Sequence, residues 1–242
     1  MKSYTIADGL MSDGEILHMI QDSRGYLWIC GSLGISRFDG HAFRNYGQAD
    51  GLPVQGAYYA LEAKDGTLWF GTSRGLARYV PIAGAQKRFV MYSLGEPPAA
   101  DGTNLADDIH MLCEDPNGGL WIGSARGLYH ATPSADSLHA HLVLRPDVPA
   151  GAEPPGFTRI VSLFSDSHRV LWAGTHYAGI YRILPGGAMP LRVGHVLGAR
   201  SLSRRLECPI MISDSSFEAS PHGREKSSAY VMPFGNNTRT II

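Results

Sequence analysis

The stretch GGLWIGSARGLYH at residues 118–130 reads as two short strands joined by a tight turn. Leu120 and Trp121 are adjacent, so on an extended chain they point to opposite faces, and both faces must then be covered. Gly127 marks the hairpin, because glycine adopts turn conformations that a Cβ disfavours. The same sentence is written three more times: YLWICGSLGISRF at 26–38, TLWFGTSRGLARY at 67–79 and VLWAGTHYAGIYR at 170–182. A fixed internal period decides the fold before any local propensity does.

Working outward from the four tryptophans, further columns fall into register. Trp28, Trp69, Trp121 and Trp172 lie 41, 52 and 51 residues apart, each preceded by leucine. Three positions before them stand Gly25, Gly66, Gly118 and the exception Arg169; six before stand Asp22, Ala63, Asp115 and Asp166. Two after come Cys30, Gly71, Gly123 and Gly174, then Gly31, Thr72, Ser124 and Thr175. A second glycine follows at Gly34, Gly75, Gly127 and, one residue late, Gly179. Arg37, Arg78, His130 and Arg182 close the pattern.

Each copy predicts successive short strands. The first covers Ile16 to Gln21, Ala57 to Glu62, Ile109 to Glu114 and Ile160 to Ser165, and ends at an Asp- and Gly-containing turn. The second carries the Leu-Trp pair. The third is read at Ile35 to Asp39 and Leu76 to Val80, and the fourth at Ala42 to Tyr46 and Arg88 to Tyr92. Four antiparallel strands in about 40 to 50 residues are the size of one propeller blade. A lone blade leaves both faces wet, so Leu and Trp are expected to meet the preceding and following blades, respectively or in reverse.

Composition agrees and narrows the function. With 29 glycines, four tryptophans and 18% charged residues, the chain is neither a disordered polymer nor a coiled coil. A formal charge of -1 gives no global field for nucleic acid or anionic membranes. Cys30, Cys113 and Cys208 are three widely spaced cysteines, which fits neither a disulfide framework nor a zinc site. No apolar run is long enough to span a bilayer, so no membrane segment is expected. The first fifteen residues lack the apolar core of a secretory signal, and taken alone the chain would stay cytoplasmic.

The four stretches resemble the two-component regulator propeller repeat, whose pattern in words is Asp-x-x-Gly-x-Leu-Trp-Ile-Gly-Thr, two variable residues, Gly-Leu. The resemblance covers roughly residues 3 to 195, with departures at Cys30, Ala63 and Arg169 and the extra residue of copy four. It implies an extracytoplasmic, periplasmic sensor region that takes a small-molecule or carbohydrate ligand. The remaining blades and the output domain of the parent protein, a histidine kinase or similar module, would be its partners. Kinase or cyclase activity would lie outside this chain.

The expected architecture is therefore all-β, a partial β-propeller of about four four-stranded antiparallel blades over residues 1–197, with an irregular non-repeat tail over 198–242. Tyr4 to Leu10 matches Tyr46 to Leu52, the lead from copy one into copy two, so the chain is expected to begin at the last strand of a preceding blade. Leu184 to Leu197 is expected to supply an outer strand and a lead onward. The tail turns basic, with seven Lys and Arg against four Asp and Glu over 192–242, and reads as disordered or out of frame.

For chemistry, His139 and His141 fall on one side of a strand without a recognisable third ligand, and His18, His110 and His130 read as variants of repeat columns. Asp22, Asp115 and Asp166 read as turn formers rather than an acid/base pair. Arg37, Arg78 and Arg182 read as inter-blade hydrogen-bond donors, with a shared ligand groove as the second option. No hydrolase, nucleotide or dinucleotide motif occurs. No catalytic residue, metal ligand or cofactor is expected, and no ligand-binding residue is singled out. The alternatives are a polysaccharide-acting propeller enzyme, lyase or glycosidase, and a truncated product without function.

Overall fold

Each copy of the repeat folds into an antiparallel meander of four strands, as the computed structural model shows. It describes residues 3–11, 15–81, 87–97, 102, 104–116, 118–134, 137–147, 159–185 and 190–193. Blade 1 comprises β1 (Ile16–Gln21), β2 (Leu27–Gly31), β3 (Gly34–Phe38) and β4 (Phe43–Tyr46). Blade 2 comprises β5 (Ala57–Glu62), β6 (Leu68–Thr72), β7 (Gly75–Tyr79) and β8 (Phe89–Tyr92). Blade 3 comprises β9 (Ile109–Glu114), β10 (Leu120–Ser124), β11 (Leu128–Pro133) and β12 (Leu138–Leu144). Blade 4 comprises β13 (Ile160–Ser165), β14 (Leu171–Thr175), β15 (Ile180–Ile183) and β16 (Leu191–Val193). Strand order follows chain order in all four sheets, and β1 adjoins β5, β5 adjoins β9 and β9 adjoins β13. The first strands are thus the inner ones of an open propeller arc.

The first strands fall where the sequence puts them. In blades 1 and 2 the third strands start one residue early, because Gly34 pairs with Gly31 and Gly75 with Thr72 to close two-residue hairpins. The outer strand expected within Leu184 to Leu197 is the short β16; the onward lead and the tail over 198–242 lie outside the described residues. The matched segments before blades 1 and 2 are matched in structure. Each makes a 3-10 turn (Ile6–Asp8, Gln48–Asp50) whose last Asp accepts from the backbone N–H of Thr5 or Gly47. Leu10 and Leu52 then turn inward and are buried.

The Leu-Trp alternation builds the contacts between blades. Trp28 packs with Leu68 and Phe70 of the next blade, Trp69 with Leu120 and Ile122, and Trp121 with Leu171 and Ala173. Tryptophan faces forward and leucine back. The departure at Cys30 has a steric reason. A Cβ on Gly71 would lie 2.7 Å from the Ile109 carbonyl oxygen, and one on Gly123 would lie 2.8 Å from Ile160 Cγ2. Where blade 1 carries the larger Cys30, the facing residue is Ala57, and both are fully buried. Volume is exchanged across the interface, keeping it close-packed.

The aspartates do more than form turns. Asp22 Oδ1 accepts from the Arg24 and Tyr26 N–H groups, while Oδ2 accepts from Trp28 Nε1 at 2.8 Å. Asp166 repeats the arrangement, with Trp172 Nε1 at 3.0 Å. Blade 2 has Ala63 instead, yet its turn keeps both backbone bonds, Ala63 N to Thr67 O and Gly66 N to Ala63 O. The turn forms without the carboxylate; what the carboxylate adds is a lock on the indole. Arg169 takes the glycine position of the fourth turn at φ 62, and its N–H still bonds Asp166 O at 2.9 Å.

Two members of the arginine column lie against aromatic rings of their own blade. Arg37 lies over the Tyr26 ring, 4.3 Å from its centroid, and Arg78 spans Trp69 and Tyr92 of its own blade. The planar guanidinium faces the π-cloud of a cross-strand neighbour, which competes with reaching the next sheet. His130 replaces arginine in blade 3, packing on Trp121 and placing Nε2 2.8 Å from Asp115 Oδ2. The clips between blades come from the last residue of the first strand. Glu62 accepts from Ser23 N and Oγ at 2.7 and 2.6 Å, and Glu114 accepts from Lys64 N at 2.9 Å. The third turn has Pro116, which offers no N–H, and the facing position is Ser165 rather than glutamate.

Candidate functional site

All four inner strands carry the same irregularity. Pairing skips one residue near the start of β1, β5, β9 and β13, leaving Leu17, Tyr58, His110 and Val161 as bulge residues. A bulge re-aims its side chain out of the ladder, so these four side chains mark one rim of the arc beside its axis. On that rim Tyr58 and His110 stack across the boundary of blades 2 and 3, with ring centroids 4.8 Å apart and planes within 4°. Asp108 Oδ2 lies 3.1 Å from His110 Nε2, not aligned as a hydrogen bond. Arg159, at the entry to blade 4, brings its guanidinium to 4.0 Å from the same carboxylate oxygen. Burial, and after it the Asp108 charge, pushes the Tyr58 phenol above its ordinary value, against the opposing pull of Ser73 and Arg159.

The hairpins fix this cluster in place. Ala125 N donates to Asp108 O at 2.9 Å and His176 N to Arg159 O at 3.1 Å. Beside it Arg126 Nε approaches Glu96 Oε2 at 3.5 Å. The result is an aromatic platform flanked by a carboxylate and guanidinium groups, each partly exposed. Such a set suits a ligand with an apolar sugar-like face and several hydroxyls, through stacking and charge-assisted hydrogen bonds. The opposite rim holds two shallow depressions of about 290 and 300 Å³, at Arg78 and Pro81 and at Trp69 and Glu114. Their linings also carry charged and aromatic side chains, Arg24, Asp65 and Tyr79 in the first and Lys64, Asp65 and Trp69 in the second.

Of the residues weighed from sequence, His110 alone enters the cluster. His139 and His141 are exposed on the outer strand β12, the latter 5.5 Å from the His130 ring. Among the described residues no group of three His, Cys, Asp or Glu side chains is placed to hold a metal ion. Asp22, Asp115 and Asp166 are each engaged within their own blade. Tyr58, Asp108 and Arg159 escaped the sequence reading; the available signal was the six-residue first strand facing a five-residue second strand.

His18 lies one position beyond the bulge and behaves differently. Its ring stacks on Tyr59 at 3.9 Å, and its Nδ1 accepts from Ala60 N at 3.2 Å. Burial lowers its pKa from 6.5 to about 4. The unfolded chain therefore binds the proton more readily, so this group's contribution to stability is complete above about pH 6.5 and falls as pH drops toward 4. The loss over that window is roughly 3 kcal/mol. Unfolding free energies at pH 7.5 and 4.5 are expected to converge for His18→Asn, which keeps an acceptor and removes the titration. An unchanged pH dependence in the variant would assign the acid sensitivity elsewhere.

The family model described as Two component regulator propeller matches residues 105–126 of this chain. No curated protein matches it. Among solved structures it is similar to the extracellular domain named as the hybrid two component system BT4673 of B. thetaiotaomicron, at 22% identity and TM-score 0.60 over 79% of this chain and 23% of that one. A second B. thetaiotaomicron extracellular domain, BT3049, is 20% identical with TM-score 0.51 over 72% and 21%. Virginiamycin B lyase from Staphylococcus aureus is 14% identical with TM-score 0.56 over 76% and 58%. The chain spans about a quarter of the length of the two hybrid-system domains. The matched segment runs from the entry of β9 through Trp121 to the following hairpin, and the columns it contains recur in the other three blades.

Proposed function

We propose that this chain is a ligand-sensing propeller module of a two-component signal-transduction protein, working on the extracytoplasmic side and without catalysis of its own. The observation that carries the reading is the Tyr58–His110 platform with Asp108 and Arg159, set by bulges on the inner strands of a propeller built from this repeat. Its ligand is a small molecule or carbohydrate, and its partners are further blades and an output domain that lies beyond this chain. The fold likeness to extracellular domains of hybrid two component systems supports the placement.

A second reading, a polysaccharide-acting propeller enzyme, draws on the Asp108–His110 pair and the fold likeness to a lyase. Thermal shift against a panel of neutral and acidic oligosaccharides tests the first reading. A hit is expected to raise the melting temperature of the native chain and to lose at least about tenfold in affinity with Tyr58→Ala, since stacked aromatic anchors each carry on the order of 1–2 kcal/mol. Binding that Tyr58→Ala leaves intact would move the site off this rim.

A further inference from the structure

We propose that the depression between blades 2 and 3, on the rim opposite the Tyr58–His110 platform, binds a small zwitterion of the amino-acid class, with its carboxylate in the place that aspartate holds in the other blades. This goes beyond the sensor reading and can fail without it. Both walls belong to interior blades, each flanked by a neighbour within the chain.

The carboxylate half follows from the one copy that departs from the aspartate column. In blades 1 and 4 that aspartate does two things: Asp22 and Asp166 accept from the backbone of the turn and from the indole N–H of Trp28 and Trp172. In blade 2 the tasks separate. Asp65 Oδ1 takes over the backbone part, accepting from Thr67 N at 2.9 Å, whereas the methyl group of Ala63 cannot accept from Trp69. Trp69 keeps the register of Trp28, opposite Arg78 as Trp28 is opposite Arg37. The cavities record the difference. The depression between blades 1 and 2 is lined by Leu68 and Tyr79 and does not reach Trp28, but the one between blades 2 and 3, of about 300 Å³, reaches Trp69 beside Ala63. A carboxylate entering there meets the indole where the repeat elsewhere supplies its own acceptor. Trp69 is only 3% exposed, and a donor so enclosed gains more from an ionised acceptor than it would in open water.

The rest of the lining selects the other half of the ligand. Lys64 stands exposed beside Ala63, giving the carboxylate a cation to pair with. Asp65 and Glu114 line the same depression, and Glu114 is fixed there by accepting from Lys64 N at 2.9 Å through Oε1. A bare anion would face two carboxylates against one lysine. An added ammonium group turns both carboxylates into partners. Size agrees, since this volume stands at the lower limit of ligand pockets and admits a molecule of amino-acid size rather than a sugar chain.

Calorimetric titration of the full 242-residue chain with each of the twenty amino acids tests this. Saturable binding of at least one small amino acid is expected, with acetate and ethylamine, which carry one charged half each, at least about tenfold weaker. Ala63→Asp restores the aspartate of the repeat and is expected to abolish the binding while raising the melting temperature. Lys64→Ala, at an exposed position, is expected to weaken it several-fold without altering the turn, and Tyr58→Ala is expected to leave it unchanged. The absence of saturable binding by any amino acid overturns the proposal. So does affinity for acetate equal to that for the amino acid, binding indifferent to both Ala63→Asp and Lys64→Ala, or binding lost with Tyr58→Ala, which would move the amino acid to the opposite rim.

Discussion

Gly75→Ala is expected to destabilise the protein by about 3–5 kcal/mol, the sum of backbone strain and overpacking at one atom. Gly75 holds φ at +116°, and a Cβ there would overlap the carbonyl oxygen of Tyr92 at the end of β8. That carbonyl belongs to a strand paired with β7, so it cannot retreat without opening the sheet. Gly34 and Gly127 stand against the Tyr46 and Leu144 carbonyls in the same way. The second glycine of the repeat is thus required by the fourth strand, not only by the hairpin. Gly66→Ala is the comparison: φ is +80° but nothing lies within 4 Å of the added Cβ, so only strain of about 1–2 kcal/mol is expected. Denaturant unfolding of the two variants checks the difference, and equal losses would contradict the account of the fourth strand.

Asp22→Ala is expected to cost about 3–4 kcal/mol, because it orphans three donors of which the buried Trp28 indole N–H is the most expensive. Asp22 is only 6% exposed and Trp28 1%, so water cannot replace the lost acceptor without entering the interface between blades 1 and 2. Asp22→Asn keeps one acceptor oxygen and should fall between the two. The tryptophan fluorescence of the folded Asp22→Ala variant should shift to the red as that indole loosens. A variant as stable as the native chain would return the aspartate to the role of a simple turn residue.

Much of this was legible in the sequence. The four Leu-Trp pairs set the blade count and the strand pattern, because a period-two alternation within a fifty-residue repeat leaves few other ways to cover both faces, while the direction of stacking came only with the structure. What escaped were relations that cross from one copy to the next. Aligning copies shows that Cys30 departs from glycine; only the stacked sheets show that Ala57 gives back the volume. Glu62 and Glu114 look like ordinary strand-end acids until their partners in the preceding turn are seen. Arg37 and Arg78 look like surface cations in the sequence; the stacked sheets show each against an aromatic ring of its own blade. The candidate site was least legible of all. Tyr58 and His110 occupy a column whose other members are Leu17 and Val161, and its meaning is the bulge, a property of pairing rather than of residue type.

The central claim is that the inner-strand rim recognises a ligand and leaves it unchanged. Incubating the protein with a mixed pool of neutral and acidic oligosaccharides, then analysing retained and free fractions by mass spectrometry, tests it most directly. The account predicts that specific oligosaccharides are retained intact, and that Tyr58→Ala and Arg159→Ala each abolish retention while the fold persists. Shortened or unsaturated products would contradict it in favour of an enzyme, and retention untouched by both substitutions would contradict the site.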